Sequence, residues 1–306
     1  MKLKHEHPAV VTERQRIEYD RFGPWAYSVR ASDEMPPRFD LWYEELKDST
    51  IILKLPRAVE RRDTKPGNDL YEGLLAVTHN GIVYLNLSQG EISRQDIAFN
   101  DIAAIRLVQD LLYGQLCIDL VDGSVISVIF NTVSADIFDT FIDSVRMSCT
   151  VGVGNPRFAP VEHGPEPSDE DMLFLNLLNA LRKRVASLSL LAYQAPCLLE
   201  SKKNARRSLV GFVARLLRWR LDGCLLTASP SELIILIRGS GIPRISKSKG
   251  FRHEAIYLPA RPFQGVTVEH RFLANGAPIH ALHISSIGHN YELLFESDPS
   301  YVLSSL

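Results

Sequence analysis

Cationic side chains are concentrated in one part of the sequence. Between Ser201 and Arg261 there are thirteen Lys or Arg residues and three acids, a net charge of +10; the whole chain carries −2, so the remainder carries −2 − 10 = −12. Such asymmetry predicts an interaction surface. The cations predicted to meet a partner or an anion are Lys202, Lys203, Arg206, Arg207, Arg215, Arg218, Arg220, Arg244, Lys247, Lys249 and Arg252.

Apolar residues recur inside the first basic segment with the spacing of one helix face. They are Leu209, Phe212, Val213, Leu216 and Leu217. The spacing predicts a helix over 206–221 with an apolar stripe and a basic face. Such a helix packs on its own domain, binds a protein partner or a second copy, or lies on an anionic membrane surface. We expect protein contact, with an anionic lipid surface at the inner membrane face as the alternative.

A second basic stretch, 244–253, is rich in Ser and Gly and could hold a phosphate through its amides and cations. Its single aromatic ring, Phe251, is too little for a base-stacking surface, so nucleic acid is not an expected partner.

Histidines raise the question of a metal site. His280 and His283 form an H-x-x-H pair, with His270 and His289 nearby in the sequence. The apolar residues around the pair indicate a strand, on which a separation of three puts side chains on opposite faces. No metal site and no cofactor are therefore predicted.

Enzyme signatures such as GxSxG, the P-loop, GxGxxG after a strand and HExxH do not occur in the sequence. Acids such as Asp119 fall at strand ends or outward strand positions, where we expect them to be solvated. These patterns favour a non-enzymatic protein, with a small-molecule enzyme as the less favoured alternative.

Composition is that of a soluble globular chain, with 45% apolar and 23% charged residues among 306. No apolar run reaches the roughly 18 residues of a transmembrane helix. The four cysteines are scattered without a CxxC pair, which is typical of reduced core thiols. We therefore expect a cytoplasmic protein.

Strand and turn signals divide the chain into four parts. Residues 1–40 are predicted to be an extended N-terminal arm that packs its aromatics on the body of the protein, and 41–150 a β domain with hairpins at Asn80-Gly81 and Asp122-Gly123. Asn131 or Thr132 can cap a helix that closes this domain. Residues 151–167 are predicted to be a linker, and 168–306 a second β domain that begins with a helix capped by Ser168.

The second β domain repeats the first. The segment Leu74–Leu85 aligns without gaps on Leu225–Leu236 at an offset of 151, and Phe130 aligns on Phe295 at an offset of 165. Small loop insertions in the second copy would increase the offset in this way, so we predict a structural duplication.

Each copy, read as about seven antiparallel strands and a C-terminal helix, resembles the bacterial pleckstrin-homology-like (PH-like) domains. In the first copy the resemblance rests on Leu74–Leu85, Ile97–Leu107, the Asp122-Gly123 hairpin and Ala135–Arg146. In the second it rests on Leu225–Leu236, Ile256–Val268, Ile279–Glu296 and Pro299–Leu306. The second copy departs from the pattern, because little sequence remains for its closing helix and 206–221 is an insertion.

The resemblance implies a mostly β fold with some helix: two antiparallel β-barrel or sandwich domains, each closed by a C-terminal helix. It also implies a binding scaffold, since PH-like domains mostly bind proteins, peptides or phosphorylated lipids. In lipid-binding members, cations on the first strand and the following loop hold the phosphates; here Lys54, Arg57, Arg61, Arg62 and Lys65 fall in that region. We expect a scaffold that engages a protein partner or its own oligomer through the basic second domain.

Overall fold

The computed structural model describes residues 11–23, 25–150, 158, 165–169, 171–185, 187–198, 220–239, 252–272 and 278–306. The chain divides into two compact units. Unit 1 comprises Met1–Phe99 and Phe130–Ser148, and unit 2 comprises Asn100–Ile129 and Cys149–Leu306. None of the described helices combines the length and apolar character that crossing a lipid bilayer requires.

The N-terminal region is not fully extended, because Glu13–Arg21 form helix α1. Thr12 and Gln15 build a reciprocal capping box at its start, so the expectation of an extended arm is wrong over these residues. Short 3₁₀ segments follow at Ser32–Glu34 and Pro37–Trp42, and then helix α2 at Tyr43–Leu46. As expected, aromatics of this region pack on the body of unit 1, where Phe22 is buried against Tyr71.

Unit 1 contains a five-stranded sheet with the order β1-β2-β3-β4-β5. Its strands are β1 Tyr27–Ser28, β2 Ile51–Pro56, β3 Tyr71–Val77, β4 Gly81–Ser88 and β5 Glu91–Ala98. The predicted Asn80-Gly81 hairpin joins β3 to β4. A side chain at Gly81 would collide with the Ile97 carbonyl of β5, which explains the glycine.

Three further strands follow in the sequence, namely β6 Ile102–Asp110, β7 Tyr113–Leu120 and β8 Val125–Asn131. The Asp122-Gly123 turn between β7 and β8 is confirmed, with Gly123 at φ +87° in the left-handed region. Helix α3, Ala135–Thr150, comes next after a 3₁₀ turn that Asn131 caps through the Val133 N–H.

The second half begins with helix α4, Met172–Arg184. Its N-cap is Asp171, whose carboxylate accepts the Phe174 N–H, so the prediction of Ser168 as the cap is wrong by three residues. The strands are β9 Ser189–Gln194, β10 Cys197–Leu198, β11 Arg220–Leu221, β12 Gly223–Ser229, β13 Glu232–Arg238, β14 His253–Pro259, β15 Phe263–Phe272, β16 Pro278–Ser286 and β17 His289–Phe295. A 3₁₀ helix, Ser300–Ser305, follows β17.

Strands from both halves of the sequence share one sheet. The order β8-β7-β6-β14-β13-β12-β9 runs through an antiparallel pairing of β6 with β14, in which Ile105 lies opposite Tyr257. Strands β15, β16 and β17 form a separate antiparallel sheet, whose inner residues Leu282 and Phe295 share a core with Ile235 and Ile256. The fold is therefore mostly β, with antiparallel sheets.

The aligned hairpins have the same strand register. Leu74 pairs with Leu85 across β3 and β4, and Leu225 pairs with Leu236 across β12 and β13. Every following pair of the first hairpin, through Val77 with Ile82, has its counterpart in the second at the offset of 151. The ungapped alignment thus corresponds to equivalent positions in two hairpins.

Candidate functional site

Most of the cations predicted to form the interaction surface lie outside the described residues. Two are inside: Arg220 belongs to β11, opposite Leu198 of β10, and Arg252 precedes β14, where its carbonyl accepts the Gly239 N–H at 3.1 Å. Residues 206–219 of the predicted helix also lie outside, and its last two residues form β11 instead. The basic surface stays a prediction.

Three of the five cations that the PH-like resemblance assigns to phosphate binding, Lys54, Arg61 and Arg62, have partners within unit 1. The Lys54 ammonium is half-buried, donates to the Glu34 carbonyl at 2.8 Å and lies 4.6 Å from the centre of the Tyr71 ring. Burial lowers the pKa of Lys54. Arg62 forms an ion pair with Glu60 at 2.7 Å. Lys54 thus has internal partners rather than a phosphate-binding position.

A small cleft of unit 1 brings Glu18 and Tyr71 together with Arg38. Burial raises the pKa of both the Glu18 carboxyl and the Tyr71 phenol. The residues that line the cleft include no Ser, Cys, Lys or His. Its titratable groups are the Glu18 and Asp69 carboxyls, the Arg38 guanidinium and the Tyr71 phenol.

Exposed apolar side chains cluster on one face of β7 and β8, in unit 2. Tyr113 is 43% exposed, Val125 46% and Ile129 65%. Alternation along the strands puts Gln115 and Ser127 on the same face, and the Gln115 amide donates to the Ser127 hydroxyl at 2.8 Å. We call these five residues the β7–β8 face.

Strand β8 is a neutral sheet edge. It has one neighbour, β7, among the described strands, and its sequence VISVIFN contains no charge. Two edges of the other sheets carry charges, namely Arg94 and Asp96 in β5 and Glu269 and Arg271 in β15, whereas β9, the opposite edge of the same sheet as β8, is also neutral. Charges on an edge strand oppose its pairing with another chain, and β8 lacks this protection.

The turn between β6 and β7 extends the apolar surface. Leu111 has φ +52°, a left-handed conformation that a leucine side chain disfavours, and Leu112 is 68% exposed.

A buried polar network lies on the same side of the sheet as this face. Asp119 is 1% exposed and accepts two hydrogen bonds from Arg106, at 2.7 and 2.9 Å, and one from the Tyr291 hydroxyl at 2.9 Å. Glu254 lies 3.4 Å from the Arg106 guanidinium. The expectation that Asp119 is solvated is wrong, because its strand position faces β17. The network joins β6, β7, β14 and β17 beside the β7–β8 face.

All four cysteines lie within the described residues and none forms a disulfide. Cys117, Cys149 and Cys224 are buried, and Cys197 is half-buried. Burial raises the pKa of the Cys149 thiol to about 12.

The H-x-x-H residues separate as predicted for a strand. His283 lies with Glu269, Arg271 and Glu292 on one face of the three-stranded sheet, whereas His280 lies on the other face. His280 is directly opposite His270 of β15. Sequence reasoning named His270 without detecting this pair, because the pair depends on the register of the β15–β16 hairpin.

No protein-family model matches the chain, and comparisons with curated proteins and with solved structures give no match either.

Proposed function

We propose that this chain is a non-enzymatic binding scaffold of two PH-like domains that associates with a second copy of itself through the β7–β8 face. The strand order partly supports the duplication. Strands β2-β3-β4-β5 are neighbours in one sheet and β9-β12-β13-β14 in another, with the short strands β10 and β11 between β9 and β12 in the sequence. Each set is followed by three strands, of which the first run pairs with β14 and the second forms a sheet of its own. The equal hairpin registers add to this support.

The observation that carries the proposal is the exposed, neutral β8 edge. A two-fold axis at Ser127 would pair two β8 strands antiparallel and place Val125 of one copy beside Ile129 of the other. Such a pairing brings no charges together, since β8 has none. It would remove from water two side chains per copy that are 46% and 65% exposed.

The chemistry of the face favours protein over lipid. None of its five residues is cationic, so it offers no attraction to anionic headgroups. Anionic-lipid binding would depend instead on the basic residues between 201 and 261, and it remains the alternative function.

Sedimentation velocity over a concentration series tests the proposal. We expect the natural chain to dimerise and Ile129→Lys to weaken the dimer by at least about tenfold, because each lysine would bring its charge against Val125 of the other copy, where it loses hydration without gaining a partner. The matched control is Ile287→Lys, a 42% exposed isoleucine at the β16–β17 turn, which should leave dimerisation unchanged.

Two results would overturn this proposal. If the natural chain is still monomeric at about 100 μM, the proposed self-association is wrong, because a specific dimer with a micromolar Kd would be formed almost completely at that concentration. Salt-sensitive recruitment to vesicles containing anionic lipid, unaffected by Ile129→Lys, would make the lipid surface the leading function.

A further inference from the structure

The imidazoles of His270 and His280 converge at the end of the β15–β16 hairpin, in unit 2. The two residues are directly opposite across the strands, and their Nδ1 atoms are 2.7 Å apart. The ring centroids are 4.7 Å apart with the planes at 84°. Two nitrogens that can each offer a lone pair thus point into one small space.

A carboxylate completes the cluster. Asp298 lies between β17 and the C-terminal 3₁₀ helix, and its ligand oxygen and one nitrogen from each histidine all lie within 4.8 Å of one another. His270 and Asp298 are exposed and His280 is half-buried, so an ion from solution has access.

Local hydrogen bonds hold this carboxylate in place. The Ser300 N–H donates to Asp298 Oδ1 at 2.9 Å, and the Ser300 hydroxyl donates to the same oxygen. Ser300 therefore holds the carboxylate in one orientation.

We propose that His270, His280 and Asp298 bind one divalent transition-metal ion of borderline softness, with Zn²⁺ as the best match. Two imidazoles and a carboxylate are ligands that Zn²⁺ takes, and water would fill the remaining position. With Zn–N bonds of about 2.0–2.1 Å at tetrahedral angles, the two nitrogens stand about 3.3 Å apart. To reach this separation the two nitrogens must open by about 0.6 Å, and the Asp298 oxygen, within 4.8 Å of both, must approach by up to about 1.5 Å; side-chain rotation can supply both movements.

A single proton shared between the two Nδ1 atoms also explains their contact, but it does not involve the Asp298 carboxylate, which Ser300 holds close to the pair. An ion would use all three groups and would tie β15, β16 and the C-terminal segment together. The opposite face holds His283 with Glu269 and Glu292, which provides an internal comparison in the same sheet.

Calorimetric titration of the tag-free full chain with ZnCl₂ tests the site. We expect one ion per chain, and we expect His270→Ala, His280→Ala and Asp298→Ala each to weaken binding by at least about tenfold, as loss of a ligand does. His283→Ala is the matched control and should bind as the natural chain does. Co²⁺ supplies a second readout, since its visible absorption should report nitrogen ligation that both His270→Ala and His280→Ala reduce.

Folding of each variant is checked by its circular dichroism and thermal unfolding in EDTA, where no ion contributes. Binding that survives both His270→Ala and His280→Ala in folded protein would overturn the proposal. An equal loss in His283→Ala would overturn it too, because it would move the ion to the other face of the sheet.

Discussion

Replacing Asp119 with alanine should destabilise unit 2 more than any exposed acid would. The change removes the acceptor of two Arg106 hydrogen bonds and of the Tyr291 hydroxyl bond. Breaking a buried ion pair by removing one partner costs about 3–5 kcal/mol, because the remaining charge stays desolvated. Arg106 keeps 27% exposure and Glu254 at 3.4 Å, which offset part of the cost. We therefore expect a loss of about 3 kcal/mol in the free energy of unfolding, at the low end of this range.

Urea denaturation followed by circular dichroism measures this loss as a lower midpoint at an unchanged slope. Asp119→Asn keeps one acceptor oxygen and should lose less. The double variant Arg106→Met/Asp119→Leu removes both charges and leaves no desolvated guanidinium, so we expect it to be more stable than Asp119→Ala.

Two results would refute the reasoning about Asp119. One is a loss below about 1 kcal/mol for Asp119→Ala, which is what an exposed pair gives. The other is a double variant less stable than Asp119→Ala, which would mean that desolvation of Arg106 is not the main cost.

Three further predictions concern the turns and the thiols. Gly123→Val should lower the free energy of unfolding by about 1–3 kcal/mol, because φ +87° strains a β-branched residue although no atom blocks its Cβ. The control Gly265→Val, at a strand position with open space, should be nearly neutral. Equal melting temperatures of the two variants would contradict this prediction. Thiol labelling at pH 8 should show one fast site, which Cys197→Ser removes, since the other three thiols are buried. The pKa of Cys149 is raised to about 12, so the folded chain keeps a proton that the unfolded chain releases above about pH 9. The free energy of unfolding should therefore fall between about pH 9 and 12, and it should fall less steeply in Cys149→Ala.

Local signals predicted the hairpins well. Asn80-Gly81 and Asp122-Gly123 mark real turns, and the offset of 151 gave the register shared by two hairpins. The Thr-x-x-Gln pattern of the capping box at Thr12 and Gln15 is also present in the sequence, although the polar composition around it suggested an extended arm. These features depend on residues a few positions apart, for which turn and cap chemistry is decisive.

Features that depend on distant strands could not be predicted in this way. The burial of Asp119 follows from the position of Tyr291 in β17, 172 residues later. The convergence of His270 and His280 requires the register across the β15–β16 hairpin, which the Asn275-Gly276 signal between the two strands does not fix by itself. The exposure of Ile129 follows from β8 being a sheet edge, which alternation alone does not reveal.

The pairing of β6 with β14 has a consequence for how the chain is made. Ile105 meets Tyr257 only after about 150 further residues have been translated, which takes about 8–30 s at 5–20 residues per second. During this interval the β6 edge has no native neighbour, and an apolar edge exposed on a nascent chain is a target for chaperones. A fragment of residues 1–150 never acquires β14, so its β6 edge stays unpaired. We therefore expect the fragment to aggregate when expressed alone and to become soluble when the second half is coexpressed.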